Sequence, residues 1–303
     1  MSRRKGEYKR NRGCPTLTSR CLRGRVGILG CPRPPATDDP TTNSPQRLQS
    51  FFVKTERIAT LLRPFLKRDL RPPQLDQIST YIDLLLRWNQ RVNLTAVRDP
   101  EEIVTRHFGE SLFAARHLFP RCPDGQGLAD DRRPFPACPA LSEATGDTLP
   151  LDQPPAADDS VAPENRAPLR LVDIGSGAGF PGLPIKIWSP QTPITLIESR
   201  QKKVAFLREV IRALTLTDID VFAGRAEDFP PDAAGIVILR AVERFDHVLP
   251  VAAARLTPGG TLALLISQPQ AQIASRLPRF QWQPSAPIPH SSSRALLVGY
   301  KIS

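Results

Sequence analysis

Apolar residues along residues 47–120 recur at spacings of three, four and seven. Phe52, Ile58, Leu61, Leu62, Phe65 and Leu66 form one series, and Leu75, Ile78, Ile82, Leu85, Leu86 and Trp88 a second. Such spacing keeps one face of a helix apolar, so two amphipathic helices are predicted. Asp99-Pro100-Glu101-Glu102 reads as the start of a third, with an N-cap Asp, Pro at the first position and acids in the first turn; it should run to about Leu118. From residue 168 the pattern changes to short apolar runs, Leu169–Ile174, Ile194–Glu198, Ile219–Ala223, Ile236–Arg240 and Thr261–Ile266, which read as strands. Pro181–Ser189, Arg200–Leu214 and Arg244–Arg255 read as helices between them, and Arg294–Lys301 as a last strand. Strands apolar on both faces and separated by helices predict a parallel sheet covered on both sides.

Two stretches carry neither period. Residues 1–46 are Arg-rich with Pro, Gly, Ser and Thr, and 121–167 are dominated by Pro, Asp, Ala and Gly. Such compositions bury no core, so a disordered basic tail and a disordered insertion are expected, flanking a helical region (47–120) and a sheet region (168–303). Charge follows the same division. The chain carries +11, but residues 1–50 supply +8, the insertion is −5, and residues 51–120 and 168–303 carry +3 and +5. A polyanionic partner fits this balance without being identified by it. All five Cys (14, 21, 31, 122 and 138) lie in the tail or the insertion and none form C-x-x-C, so neither a zinc site nor a disulfide framework is expected. No apolar run reaches membrane-span length and no signal-peptide core is present, which points to a cytoplasmic protein with no membrane partner.

The most informative stretch is Leu171-Val-Asp-Ile-Gly-Ser-Gly-Ala-Gly-Phe-Pro-Gly182: a strand, a glycine turn and a helix start. The first such loop of a parallel α/β sheet lies at the carboxyl ends of the strands, where ligands bind. Gly177, Gly179 and Gly182 formally satisfy G-x-G-x-x-G, the dinucleotide pattern. Two features favour S-adenosyl-L-methionine over NAD. The Asp173 carboxylate, two residues before Gly175, suits a cationic amino-acid group and repels a pyrophosphate, and Pro181 has no N–H to offer a phosphate. Glu198, ending the second strand, would accept both ribose hydroxyls of an adenosine, or is a solvated charge. The Ala226-Glu227 pair after the third strand would read an adenine edge, or caps a helix. Arg240, ending the fourth, faces the same cleft, or forms a salt bridge.

Taken together, Trp88-Asn-Gln-Arg-Val-Asn-Leu-Thr95, Arg106-His-Phe-Gly-Glu-Ser111, the glycine loop, Glu198-Ser199 with Lys202-Lys203, and Leu239-Arg240-Ala241 resemble the bacterial small-subunit rRNA methyltransferase G family, also called glucose-inhibited division protein B. The resemblance covers about residues 50–120 and 168–303. It implies a Rossmann-like S-adenosylmethionine-dependent methyltransferase sheet with flanking helices and a helical N-terminal extension. It also implies methylation of N7 of one guanine in the 530 loop of 16S rRNA, with 16S rRNA or the small ribosomal subunit as partner. Gly175, Phe180, Ala226, Glu227 and Arg240 match the family's cofactor contacts, and Asp173, Gly177, Gly179 and Glu198 join them from the reading of the loop. Asn93, Arg106, His107 and Ser111 are the RNA-side candidates, with helix packing as their alternative role. Guanine N7 carries a lone pair and no proton, so no catalytic base is expected; nor is a metal, and the protein should be a monomer. The chain departs from the family pattern at Glu110, where Asp is usual, at Leu239, where Ser is usual, and at Ala295, where a His is usual. A methyltransferase of another RNA or of a small molecule, a dehydrogenase and a non-enzymatic RNA-binding module are the competing classes.

Overall fold

The computed structural model describes residues 53–119 and 170–302. The expectations for residues 1–46, for the 121–167 insertion and for Phe52 fall outside them. The helices are α1 (Thr55–Leu62), α2 (Pro72–Asn89), α3 (Pro100–Glu102), α4 (Glu110–Leu118), α5 (Gly182–Trp188), α6 (Gln201–Ala213), α7 (Phe245–Arg255) and α8 (Gln268–Ala274). The strands are β1 (Leu171–Ile174), β2 (Ile194–Ile197), β3 (Ile219–Phe222), β4 (Ala234–Arg240), β5 (Leu256–Ser267), β6 (Phe280–Trp282), β7 (Ala286–Pro287) and β8 (Arg294–Lys301).

The strands form one sheet in the order β3-β2-β1-β4-β5-β8-β6, with β7 also paired to β8. β1 to β5 are parallel, and β8 returns antiparallel against β5, pairing Arg294 with Ser267. The chain winds from β1 outward to β3, then crosses to β4 on the other side of β1. That reversal leaves a crevice at the carboxyl ends of β1 and β4, because connections leave it in opposite directions.

Alternation along each strand sends side chains to two cores. Leu171, Ile194, Leu196, Ile236, Ile238, Ala263 and Leu265 face one, which also holds Ile58, Leu62, Ile78, Leu85, Phe108 and Leu112 from the N-terminal helices. Val172, Ile174, Ile197, Val237, Leu239 and Leu264 face the other, under α7 and α8. The helical region is thus one covering layer of the sheet, continuous with it in a single apolar cluster. Lys186 is the polar intruder in the first layer. Its ammonium donates to the carbonyls of Pro190 at 2.6 Å and Thr192 at 2.8 Å, which is how a residue 1% exposed keeps hydrogen-bond partners.

The expected third helix is interrupted. Residues Ile103–Gly109 form a π-helical stretch between α3 and α4. Insertions of this kind re-aim side chains and recur at functional sites. Gly109 is fixed there by packing: a Cβ would stand 2.7 Å from the Phe65 ring.

Candidate functional site

The glycine loop runs from the end of β1 into α5. Gly175, Gly177 and Gly179 have φ of +73°, +58° and +90°, which glycine adopts without strain. Their surroundings differ. A Cβ on Gly179 would meet Leu183 at 2.3 Å and the Tyr81 hydroxyl at 2.5 Å, and one on Gly182 would meet Leu196 at 2.4 Å. Those two glycines are demanded by packing. A Cβ on Gly177 would find only Gly175 O at 3.8 Å and the Lys203 ammonium at 3.9 Å. Gly177 is therefore the glycine of the loop that leaves room for a ligand beside its backbone.

Asp173 is wholly buried under the loop. Its Oδ2 accepts from the Gly182 N–H at 2.9 Å, while Oδ1 is buried with no hydrogen-bond partner. Burial first of all, against the Gly182 bond, pushes its pKa up to about 7. An unpartnered buried carboxylate oxygen is unfavourable unless something donates to it. Glu198, just past β2, accepts from Gly177 N at 3.0 Å and from Arg200 N at 2.8 Å, so each of its oxygens already holds one backbone N–H. Ala226 is buried and Glu227 exposed in a 3-10 turn, Ala226–Asp228, after β3.

On the β4 side the covering helices enter the site. Tyr81 of α2 donates its hydroxyl to Ala178 O in the loop, and its ring stacks on Phe180 at 5.3 Å with the planes 4° apart. The His107 ring stacks on Phe180 at 4.9 Å, and Phe108 meets Phe180 edge-on at 5.1 Å. Phe180 thus holds the loop against the helical layer through its ring.

His107 also carries a hydrogen-bond relay. Its Nδ1 lies 3.0 Å from Arg240 Nη2 and its Nε2 lies 2.7 Å from Thr95 Oγ1. A guanidinium only donates, so Nδ1 accepts and the ring proton sits on Nε2, donating to Thr95. Burial, then the charges of Arg240, Arg106 and Arg294, holds the His107 pKa down at about 3. The ring is neutral at any working pH. Arg240 Nε donates to Glu110 Oε2 at 3.0 Å, and the two N–H of Nη2 are shared among His107 Nδ1, Arg106 O at 2.9 Å and Glu110 Oε2 at 2.9 Å. Arg294 of β8 donates to the same Glu110 oxygen at 2.7 Å.

The RNA-side candidates separate on this geometry. Asn93 and Arg106 are exposed, and Arg106 pairs with Glu102 one turn earlier at 3.1 Å. Ser111 is fully buried and donates to His107 O at 2.6 Å, the arrangement that its alternative role, helix packing, describes. His107 is buried, with both ring nitrogens hydrogen-bonded inside the protein, to Arg240 and Thr95. Of Arg240's two readings, the salt bridge is present, but it is buried. Tyr81, Thr95, Glu110 and Arg294, which gather around Phe180 and Arg240, were not among the residues singled out from the sequence. Tyr81 lies on the apolar face of a periodic helix, and Glu110 and Arg294 are far apart in sequence; only the Arg106–Ser111 stretch hinted at Glu110.

The chain is similar to known proteins over much of its length. The family model for rRNA small subunit methyltransferase G matches residues 74–122 and 160–284. The ribosomal RNA small subunit methyltransferase G of Streptococcus sanguinis is 32% identical over 202 residues, covering 65% of this chain and 67% of that protein. Its namesake in Desulfitobacterium hafniense is 33% identical over 224 residues, covering 72% and 74%. Among solved structures, TYW2 of P. horikoshii in complex with MeSAdo is 17% identical with a TM-score of 0.39, covering 45% of this chain and 58% of that one. TrmN from Thermus thermophilus is 21% identical with a TM-score of 0.39, covering 44% of each.

Proposed function

The chain belongs to the rRNA small subunit methyltransferase G family, and on that premise we propose that it transfers the methyl group of S-adenosyl-L-methionine to N7 of a guanine in the 530 loop of 16S rRNA. The observation that carries the cofactor reading is Asp173 Oδ1: a buried carboxylate oxygen without a partner, under a loop that leaves open space at Gly177. The ligand that satisfies it brings a cationic N–H donor, as an amino acid does. A dinucleotide brings a pyrophosphate to the same place, next to an acid.

The residues divide the work. Asp173 receives the amino group, and the backbone at Gly175, Gly177 and Gly179 faces the amino-acid end. Glu198 keeps one lone-pair site on each oxygen after its two backbone bonds, so ribose hydroxyls donate to a carboxylate already held in place. Ala226 N–H and the Glu227 carboxylate meet the adenine edge. The Arg240 bonds use Nε and Nη2, so Nη1 is the part of that guanidinium left to a ligand. Phe180 sets the loop's position. S-adenosyl-L-methionine supplies an electrophilic methyl on a sulfonium. Guanine N7 supplies a lone pair and loses no proton, so the protein's part is alignment at about 3 Å and exclusion of water, with no base. The candidates for holding RNA are Asn93 and Arg106, on the rim.

No helix among the described residues is long and apolar enough to cross a membrane, and no group of His, Cys, Asp and Glu there could hold a metal ion. On this reading ribosomal RNA is the substrate and the cytoplasm the working compartment.

The test is to map N7-methylguanine in 16S rRNA from cells with and without the protein, by reduction and strand scission. It is complemented by methylation of undermodified small subunits with purified protein. A 530-loop guanine whose modification is the same in both strains overturns the assignment.

A further inference from the structure

The Arg240–Glu110–Arg294 cluster is unbalanced. Two guanidiniums share one carboxylate oxygen, His107 beside them is neutral, and Arg106 is already paired with Glu102. A surplus positive charge in a largely buried cluster is unfavourable unless an anion joins it. The Arg240 and Glu110 side chains are 7% and 5% exposed, whereas that of Arg294 is 26% exposed. Arg294 is the member that solvent, and a ligand, can reach. One of the five N–H donors of its fork is given to Glu110, which fixes the fork's orientation.

Its place in the sheet says which ligand. Arg294 opens β8 opposite Ser267, at the carboxyl end of β5, on the ligand edge of the sheet. Glu198 and the Ala226-Glu227 pair, the adenosine side, follow β2 and β3 on the far side of β1. β8 stands three strands from β1 in the other direction, about 14 Å at ~4.8 Å per strand. Its guanidinium reaches back to the Glu110 oxygen that Arg240 also holds, so Arg294 is the outer member of the cluster, on the side of Arg240 away from β1 and the glycine loop, where a substrate phosphate would meet it.

We propose that Arg294, oriented by Glu110, is a phosphate-binding residue that grips one phosphodiester of the RNA beside the target base. This rests on the rRNA reading above. Removing it weakens RNA binding and lowers its salt dependence, while cofactor binding is untouched.

The experiment measures affinity for undermethylated small ribosomal subunits across a salt series, for wild type, Arg294→Gln and Arg294→Lys, with S-adenosylhomocysteine affinity measured by calorimetry alongside. For Arg294→Gln the slope of log K against log salt should fall by ~0.7 to ~0.9, the value of one phosphate contact, with S-adenosylhomocysteine affinity within about twofold of wild type. Arg294→Lys should keep the wild-type slope. An unchanged slope in Arg294→Gln, or parallel losses of RNA and cofactor affinity, overturns the proposal. If the Gln variant does not fold, wild type decides: bound subunits, but not S-adenosylhomocysteine, should shield Arg294 from phenylglyoxal, and no shielding overturns it. A wild type that binds no subunit sinks the rRNA reading itself, and the proposal with it.

Discussion

Replacing Asp173 by Asn should make the free protein more stable in mild alkali and a worse binder of its cofactor. The carboxyl titrates at about 7 in the folded state against 3.8 in the unfolded chain, chiefly through burial. A raised folded pKa means that the folded state holds the extra proton between those values. The associated stability is complete below the unfolded pKa and is lost as pH rises through about 7. Some three pKa units at 1.36 kcal/mol each come to about 4 kcal/mol by pH 8.5. Asn never ionises, so it avoids that loss. Its Oδ1 can still accept from Gly182 N–H, but its NH₂ takes the place of the orphan oxygen and is left unpaired, at about 1 to 3 kcal/mol. The net gain is about 1 to 3 kcal/mol, or a Tm rise of roughly 2 to 12 °C for a domain of this size. Cofactor binding moves the opposite way, because an amide donor now faces an ammonium. Losing a charge-assisted bond of about 2 kcal/mol weakens S-adenosylhomocysteine binding about 30-fold. Calorimetric titration also has a pH arm. Wild-type affinity should rise roughly tenfold from pH 6 to pH 8 as Asp173 is deprotonated, and the variant should show no such rise. A variant that melts below wild type at pH 8.5, or binds as tightly, refutes the assignment of Asp173 Oδ1 to the cofactor's amino group.

Tyr81→Phe removes the hydroxyl held by Ala178 O while keeping the stack on Phe180. It should lose about 1 to 3 kcal/mol of stability by denaturant titration, and calorimetry should show weaker cofactor binding. His107 has a folded pKa of about 3 against 6.5, so its stabilisation is present above 6.5 and is lost as pH falls. His107→Gln should therefore recover about 2 kcal/mol at pH 5 relative to pH 7, read from Tm against pH. Glu110→Gln leaves two arginines facing no charge and should cost about 3 to 5 kcal/mol. Glu110→Asp should lose less in the same denaturation assay.

Elements with many periods were legible. α2 and α6 and the apolar runs of β1, β2 and β4 appear in the structure within a few residues of where the pattern placed them. β5 begins at Leu256, five residues before the expected start, because Pro258-Gly-Gly260 hides its first turn of pairing. α8, β6 and β7 span seven, three and two residues, too short for a period to show. Ser267 and Gln270 did carry a start signal for α8: Gln270 Oε1 accepts from Ser267 N at 3.0 Å. The π-helical stretch left no mark in the hydrophobic pattern, since it shifts register by one residue only. In the site, the glycine loop was legible because local chain geometry demands glycine. The role of each glycine was not, since Gly179 and Gly182 answer to Tyr81, Leu183 and Leu196, which reach them only in three dimensions.

The N-terminal helices do more than cover a sheet face, because every tie between them and the ligand edge ends on a residue of the site. Tyr81 holds the loop carbonyl at Ala178, His107 and Tyr81 sandwich Phe180, and Glu110 holds Arg240. Asn89 extends the chain of contacts outward. Its Oδ1 accepts from Leu94 N at 2.8 Å and Thr95 N at 3.1 Å, and its Nδ2 donates to Thr95 O at 2.9 Å. That fixes Thr95, which receives the His107 proton. The exposed loop around Asn93 is thus joined to Arg240 through Thr95 and His107 by hydrogen bonds. A displacement of this loop by RNA must either move His107 off Arg240 or break the Thr95 bond. Under the proposed role for Asn93, RNA contact at the rim would therefore bear on Arg240 through these bonds, with no domain movement needed. The cleft acquires its shape only when the helical layer has folded onto it.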